Sequence, residues 1–320
     1  MDLIYSLLDS TVRLSVPLIL ASFAGILAER SGVVDIGLEG KMLAAAFAAA
    51  AVAAVTANPW LGVLAAMVVA VALSALHGLS AITYSGNQMV SGMAINIIAA
   101  GTTATLASAW FNLGGQTPGL EGAARFQGLT WPFADAISQV PLIGPVYTRM
   151  LSGHNVLVYL SWLAVPLVAW MLFKTRFGLR LRAVGENPHA ADTAGISVAI
   201  IRYQALLLNG VLCGLAGAYL STAHGNAFMR DMTAGKGFLA LAALIFGRWQ
   251  PWPTFWACML FALTDALQFR LQGVALPVIG EIPVQFIQMA PYIFTVLVLA
   301  GLAGKAVAPK VVGVPYVKSR

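Results

Sequence analysis

Charged residues are scarce in this chain of 320 residues: they make up 9% of it, whereas 59% of the residues are hydrophobic. Soluble domains carry about 25% charged residues, so the composition excludes an ordinary soluble protein and indicates an integral membrane protein. Residues 42–120 contain no Asp, Glu, Lys or Arg at all. That stretch is long enough for about three membrane-spanning helices of ~20 residues each.

Several catalytic motifs are also absent. The chain has no G-x-x-x-x-G-K-[ST] phosphate loop, no H-E-x-x-H and no G-x-S-x-G, which argues against ATP hydrolysis by that route and against two common hydrolase sites. Cys213 and Cys258 lie in apolar segments without metal-ligand or redox spacing, so we expect buried thiols and no metal site. Asp2 and Asp9, with no basic residue before them, argue against a cleavable signal peptide. We therefore expect a protein that is not an enzyme.

The apolar pattern predicts an all-α, polytopic membrane bundle of about 8–10 segments that forms a single transmembrane domain over residues 1–320. Breakers such as Asn58-Pro59 and Ser85-Gly86-Asn87 separate the segments. A long loop over about 113–152 is interpreted as a lid, a surface for an external partner or a plain connection. The nine predicted segments are residues 11–28, 40–57, 60–84, 88–112, 153–173, 202–222, 235–247, 252–270 and 284–303.

The distribution of Lys and Arg predicts the orientation. With the N-terminus outside and the C-terminus in the cytoplasm, 12 basic residues lie inside and 6 outside, from the chain's 18. The bias is clearest at residues 174–182 and in the C-terminal tail. The net charge of +6 is therefore attributed to membrane topology, and no nucleic-acid partner is expected.

Five charged side chains crowd the turn between the first two segments. Two interpretations are open: a solvated loop with local ion pairs, or an irregular turn packed inside the protein, which lipid permits only when other protein covers it. No histidine or nucleophile accompanies the carboxylates nearby, so catalysis is discounted. The five residues are Glu29, Arg30, Asp35, Glu39 and Lys41.

Gln88, Asn96 and Thr103 recur on one face of the fourth segment. Such side chains either hold membrane helices together or line a transport path, and amides and hydroxyls suit a neutral, hydrogen-bonding solute. Phe238 is a further candidate for the path, because its ring is able to stack on a planar ligand.

Residues 185–196 predict a short polar helix between two long apolar segments. Asn187 is a good N-cap, Pro188 suits the first helical position, and Gly195 suits a left-handed C-terminal position. The predicted face of Ala190, Ala191 and Ala194 would let another protein approach closely. Because about seven residues are too few for a helix stable by itself, this segment predicts a docking element on the cytoplasmic side.

A weak internal repeat relates residues 39–46 to residues 234–242. The predicted topology runs these two stretches in opposite directions across the membrane. Inverted repeats of this kind build transport paths at the repeat interface, although chance similarity is an equally good explanation of so short a match.

Three stretches together resemble one family: residues 27–40 (LAERSGVVDIGLEG), residues 185–196 (GENPHAADTAGI), and residues 235–242 (GKGFLALA) with 246–249 (FGRW). The family is the branched-chain amino acid, ribose and nucleoside permeases of bacterial ATP-binding-cassette importers, and the chain is most similar to its shorter nucleoside or simple-sugar permeases. Motif positions in the first and third stretches are Glu29, Gly32, Asp35, Gly37, Glu39, Gly40 and Gly237.

The resemblance implies a bacterial inner-membrane complex. Its other parts would be a second and different permease chain, two cytosolic ATPases or one fused ATPase, and an external substrate-binding protein. ATP and Mg²⁺ would bind those ATPase subunits, with no cofactor in this chain. The segment over residues 183–200 would couple the permease to the ATPase through Gly185, Glu186, Asn187, Pro188, Ala190, Ala191, Ala194 and Gly195.

Two positions depart from the family pattern. Asp35 stands where the family usually has Asn, and its carboxylate is expected to find a basic partner in Arg30 or Lys41 or to alter the site. Lys236 replaces the more usual Arg or Tyr.

The expected function is therefore translocation of a nucleoside, with a ribose-like sugar or a branched-chain amino acid as the alternative cargo. The other classes considered are a secondary carrier that uses Asp265 and a structural scaffold.

Overall fold

A computed structural model describes residues 2–131, 147–148, 152–271, 275–276, 280–281, 289, 293 and 307–318. Within these residues the chain forms ten α-helices and one antiparallel pair of two-residue strands, β1 (Ala275–Leu276) and β2 (Gly280–Glu281). The helices are α1 (Asp2–Arg30), α2 (Leu38–Thr56), α3 (Pro59–Gly78), α4 (Gln88–Phe111), α5 (Val156–Lys174), α6 (Arg176–Glu186), α7 (Pro188–Thr193), α8 (Val198–Tyr219), α9 (Lys236–Phe246) and α10 (Pro251–Leu271).

Asparagine begins many of these helices. Asn58, Asn87, Asn155 and Asn187 precede α3, α4, α5 and α7, and each side-chain oxygen accepts a hydrogen bond from a backbone N–H of the first turn. Such a cap satisfies donors that a helix leaves free at its start. The boundaries predicted from polar breakers therefore agree with the structure to within a few residues.

Six helical segments in the described part of the chain are long and apolar enough to cross a membrane. They include π-helical extensions of α3 (Leu79–Thr83) and α8 (Leu220–His224). The predicted all-α polytopic bundle is thus confirmed. The ninth predicted segment, residues 284–303, lies almost entirely outside the described residues.

The first helix begins earlier than predicted, at Asp2 instead of residue 11. Hydropathy missed its polar first turns, where Arg13 and Asp9 form an ion pair of 3.0 Å one helical turn apart. From residue 14 to residue 29 every side chain of α1 is buried. This helix is the centre of the bundle, and α8, α9 and α10 pack around it.

Small residues allow α2, α3 and α8 to pack closely. A Cβ atom added to Gly210 would lie 2.6 Å from the backbone of Val71, and one added to Gly214 would lie 2.6 Å from Met67. Gly210 and Gly214 therefore form a packing surface of α8 against α3. Cys213 and Cys258 are fully buried, as expected of small apolar side chains.

Two groups of connecting segments lie at opposite ends of the bundle. Residues 117–126 hydrogen-bond to residues 222–228 at one end, for example from Phe126 N–H to Thr222 O at 3.0 Å. Four segments meet at the other end: the turn after α1, residues 175–197, the turn after α9 and the tail over residues 307–318. These two groups match the predicted outer and inner loops. Much of the predicted loop 113–152 lies outside the described residues.

Candidate functional site

The turn over residues 31–37 lies inside the protein. Ser31, Val33 and Asp35 are fully buried, so the packed-turn interpretation is correct and the solvated-loop interpretation is wrong. The backbone of this turn is satisfied by neighbouring helices: Val34 N–H donates to Gln88 Oε1 at 2.7 Å. Irregular backbone is thus covered by protein, as a membrane requires.

A buried ion pair joins this turn to α2. The Lys41 ammonium lies 2.5 Å from the Asp35 carboxylate, and neither side chain is exposed. Lys41 also donates to Asn209 Oδ1 of α8 at 3.1 Å. Burial by itself raises the pKa of Asp35, but Lys41 and the other groups around the carboxylate, among them the Gly37 N–H, together outweigh that effect and hold the pKa below its ordinary value. Of the two basic partners considered for Asp35, the structure selects Lys41.

His77 of α3 supports the same turn. Its Nε2 donates to Val34 O at 2.9 Å, and its Nδ1 lies 3.0 Å from the Ser91 hydroxyl of α4. Because the carbonyl can only accept, the neutral ring carries its proton on Nε2 and accepts from Ser91 at Nδ1. His77 is therefore a hydrogen-bonded core residue, as its isolation in an apolar helix predicts.

The two copies of the suspected repeat, residues 39–46 and 234–242, contact each other at Glu39. Its carboxylate accepts hydrogen bonds from Gly235 N–H at 2.7 Å and Gly237 N–H at 2.6 Å, at the start of α9. A negative charge there is favourable, because the N-terminus of a helix carries partial positive charge. A Cβ atom on Gly237 would lie 2.5 Å from Glu39 N, so glycine is needed for this approach.

From this meeting point α2 and α9 run to opposite ends of the bundle. The ring of Phe47 in α2 contacts Phe228 in the predicted outer group, with ring centroids 5.3 Å apart. Beyond α9, Trp249 O accepts two hydrogen bonds from Arg30 in the inner group. Two helix N-termini therefore face each other inside the bundle, the arrangement on which inverted-repeat transporters rely.

Gln88, Asn96 and Thr103 face the protein to different degrees. Gln88 and Thr103 are almost completely buried, and Thr103 donates to Ala99 O within its own helix. Asn96 is partly exposed, yet its amide donates to Ile36 O at 3.1 Å and accepts from Gly40 N–H at 2.8 Å. This geometry favours the helix-packing interpretation for the polar stripe. Their role in the path stays a prediction.

A different face of α4 is open and carries small and hydroxyl residues. Gly101, Thr105 and Ser108 line a groove of about 970 Å³, and Arg230 and Asp231 border the same groove. Those two side chains are exposed and 3.6 Å apart, and such a surface does not suit lipid. Sequence reasoning overlooked this face, although its hydroxyls recur at helical spacing. Phe238, the other candidate for the path, is 44% exposed on α9.

The predicted docking helix is present as α7. Asn187 Oδ1 accepts from Ala190 N–H at 3.0 Å, Pro188 is the first residue, and Gly195 has a φ of 80°. Ala190 and Ala194 are exposed, as predicted. Ala191 is not part of that face.

Ala191 is buried against the protein's own core, and Pro188 is buried as well. The prediction that Ala191 faces a partner is therefore wrong, because the bundle itself needs one side of so short a helix. Glu186 is exposed beside this helix, whereas Gly185 is buried.

Gly185 connects the docking helix to the buried turn. A Cβ atom at this position would collide with Arg30 O, and its own carbonyl accepts from Val311 N–H at 3.2 Å. In turn, Gly313 N–H donates to Gly32 O at 3.2 Å. The tail over residues 307–318 therefore ties the docking segment to the turn after α1. Nothing in the local sequence signals these long-range contacts.

The other motif positions also serve contacts between elements. Glu29 accepts a hydrogen bond of 2.5 Å from the indole N–H of Trp249. Gly32 has a φ of 90°, which favours glycine. Gly37 and Gly40 lie against α4, where a Cβ on Gly40 would be 2.7 Å from the backbone of Asn96.

Residues 7–302 match the family described as branched-chain amino acid transport system / permease component. The chain belongs to this family. The predicted resemblance is therefore confirmed over nearly the whole chain, and the bundle is that of a membrane permease.

Three relatives cover nearly the full length of this permease. It is 39% identical to the nucleoside ABC transporter permease protein NupC of Lactococcus lactis, over 96% of this chain and 95% of that protein. It is 37% identical to the guanosine ABC transporter permease protein NupQ of Bacillus subtilis, over 98% and 97%. It is 33% identical to the putative glucose ABC transporter permease protein TsgC13 of Haloferax volcanii, over 92% and 90%.

Proposed function

We propose that this permease is one membrane-spanning subunit of an ATP-binding-cassette importer that moves a nucleoside across the bacterial inner membrane. The family match supports the permease role, and the names of two full-length relatives support the cargo. The observation that carries the coupling to ATP is α7, a capped helix whose Ala190 and Ala194 face outward.

The translocation path runs along the open face of α4. In a single subunit Thr105 and Ser108 are exposed beside Arg230 and Asp231, so a second permease chain is needed to close the groove. Hydroxyl groups suit the ribose and base edges of a nucleoside, and the exposed ring of Phe238 suits stacking on a planar base. Gln88, Asn96 and Thr103 lie on the packed face of α4 beside this path, and their direct contact with the solute stays a prediction.

Movement of α7 reaches the path through protein contacts. Gly185 packs on Arg30, the turn after Arg30 is fastened to α4 and α2, and Glu39 joins α2 to α9. ATP binding in cytosolic ATPases would shift α7 and thereby rock α2 and α9 against α4. The solute is moved without chemical change, so this chain needs no cofactor and does not act as an enzyme.

The partners follow from this arrangement. An external binding protein would deliver the solute near residues 113–131 and 223–235, because residues 117–126 and 222–228 lie together at one end of the bundle. Two ATPase subunits, or one fused ATPase, would seat α7 at the other end. The end with α7 is proposed as cytoplasmic because the basic cluster over residues 174–182 lies there.

A simple sugar is the second candidate cargo, because a full-length relative is a putative glucose permease. The cognate binding protein decides between them: its melting temperature should rise with guanosine or another nucleoside and not with ribose, glucose or leucine. A rise with the sugars or the amino acid alone would contradict the nucleoside assignment.

The docking role of α7 is tested with Ala190→Trp and Ala194→Trp, each compared with the matched Ala→Ser variant. The indole should block close approach of an ATPase and remove nearly all ATP-dependent uptake and co-purification, whereas serine should preserve both. Leu163→Trp, at an exposed position of α5, controls for a surface indole. Uptake that persists with both tryptophans would refute the coupling assignment.

A secondary carrier is the remaining alternative, and Asp265 is half-buried in α10 as such a carrier would require. Vesicles that contain the permease chains without ATPases distinguish the two classes. We expect no nucleoside accumulation in them under an imposed ion gradient. Accumulation there would favour the carrier.

A further inference from the structure

A cavity lies beside α7, at the start of α8. Its volume is about 380 Å³, and it is separate from the groove along α4. Ile82, Asp192, residues 195–199, Arg202, Tyr316 and Lys318 line it. The cavity includes residues 195–199 of the predicted coupling segment, but not the exposed Ala190 and Ala194 of α7 and no residue of the proposed path.

Arg202 is the unusual residue in the cavity. Its side chain is 1% exposed, and its Nε donates to Ser31 O at 3.2 Å. Both terminal nitrogens, Nη1 and Nη2, have no hydrogen-bond partner among the described residues. A buried guanidinium with four unused N–H donors is costly unless an acceptor occupies the adjacent space.

The carboxylate of Asp192, which also lines the cavity, does not pair with the Arg202 guanidinium. Asp192 lies 3.7 Å from the ammonium group of Lys318, and no described residue forms an ion pair with Arg202. The Asp192–Lys318 pair is close to neutral, so no described residue compensates the Arg202 charge in the cavity.

The N-terminus of α8 adds donors to the same space. Ser197 is its N-cap, but within the described structure the hydroxyl makes no capping hydrogen bond. Residues 197–199 line the cavity, and α8 is 22 residues long. A helix start of this kind offers free N–H groups and partial positive charge, which favour a bound anion.

We propose that this cavity binds a phosphate group. A guanidinium and a helix N-terminus border the same space, and together they offer several donors, which suits a tetrahedral oxyanion with several acceptor oxygens. Ile82 lines the cavity, and Ile200, which follows the lining residue Ala199 in the chain, is 58% exposed. The phosphate of an anionic phospholipid and free inorganic phosphate share this chemistry.

Ser197 allows a test that does not remove Arg202. Ser197→Asp places a carboxylate at the N-cap beside Arg202 and occupies the site from within the chain, whereas Ser197→Asn caps the helix without a charge. Both variants should raise the melting temperature of the purified permease complex. Only the aspartate should then repel an added phosphate, so the affinity of the Ser197→Asp complex for phosphate should be lower by roughly tenfold or more.

The measurement is the melting temperature of the delipidated complex at constant ionic strength. One comparison is between inorganic phosphate and chloride. The other is between phosphatidylglycerol and the uncharged diacylglycerol with the same acyl chains. We expect the wild type and Ser197→Asn to be stabilised by phosphate-bearing ligands, and Ser197→Asp to lose that shift. Stabilisation by phosphatidylglycerol at much lower concentration than phosphate identifies a lipid site, and the reverse identifies a free-phosphate site.

Three results would overturn the proposal. The first is an equal shift in Ser197→Asp and the wild type, and the second is no shift in either. The third is a loss of ATPase association in Ser197→Asp without any response to phosphate, because the cavity would then take an acidic side chain of that partner.

Discussion

Asp35 and Lys41 show how one unusual residue is accommodated inside a membrane protein. Two fully buried charges are tolerated only as a close pair with further hydrogen bonds. Asn209 accepts one such hydrogen bond from Lys41. The sequence named Lys41 as one of two partners for Asp35. It could not choose between them, because the choice depends on how the turn folds back under α2.

Breaking this pair should destabilise the protein strongly. Asp35→Asn leaves Lys41 buried without a counter-charge, and Lys41→Met leaves Asp35 buried without one. Each change is expected to lower the free energy of unfolding by about 3–5 kcal/mol. The double variant Asp35→Asn with Lys41→Met should recover most of the loss. Thermal unfolding of the four proteins in detergent, read as a double-mutant cycle, measures the coupling.

Additive losses in the double variant would show that the two charges do not stabilise each other. A matched control is Asp9→Asn, which breaks the partly exposed pair with Arg13 on α1. An exposed pair contributes about 0–1 kcal/mol, so this change should be nearly silent.

At the scale of elements, α7 illustrates how much local chemistry can predict. Its N-cap, its first proline and its final glycine were all readable from adjacent residues, because capping is a local interaction. The orientation of α7 was not readable. Which alanine faces outward depends on the tail over residues 307–318 and on the turn after α1, both distant in sequence.

Gly185→Ala should loosen the docking segment. The added Cβ would overlap Arg30 O, so either α6 or the turn after α1 must shift. We expect a loss of about 1–3 kcal/mol in stability, typical of an overpacked site, with weakened coupling of ATP hydrolysis to uptake. ATPase stimulation by the loaded binding protein, measured in proteoliposomes, reports the coupling.

Gly119→Ala is the matched control, because a Cβ there has nothing within 4 Å and the backbone needs no glycine. It should leave stability unchanged, and coupling is compared with the wild type because Gly119 lies in the proposed docking region of the binding protein. If Gly185→Ala behaved like Gly119→Ala, the contact between the docking segment and the turn after α1 would carry no mechanical role.

At the scale of the whole molecule, the open face of α4 and the meeting of α2 with α9 define the transport machinery. Both depend on contacts between distant segments: the α4 groove brings residues 97–109 together with 230–231, and Glu39 binds Gly235, which lies 196 residues further along the chain. The inverted repeat was visible in the sequence only as a short, gapped match. Its significance lies in the two helix N-termini that the fold brings together.

Cysteine labelling tests whether the α4 groove holds water in the assembled importer. Thr105→Cys should react with a membrane-impermeant thiol reagent and be protected by transported nucleoside, whereas Leu163→Cys on α5 should not react. The native Cys213 and Cys258 are fully buried, so the background should be low. Equal labelling at both positions, or none at Thr105→Cys, would contradict the proposed path.

The sequence by itself determined the class of protein, the positions of most spanning helices and the caps of the docking helix. Hydropathy and capping act over a few residues, so they are legible without the fold. Only the tertiary structure decided that the charged turn is buried, that Glu39 caps α9, and that Arg202 faces a cavity. Those features arise from packing between distant segments, where the low polarity of the interior makes each charge depend on its partner.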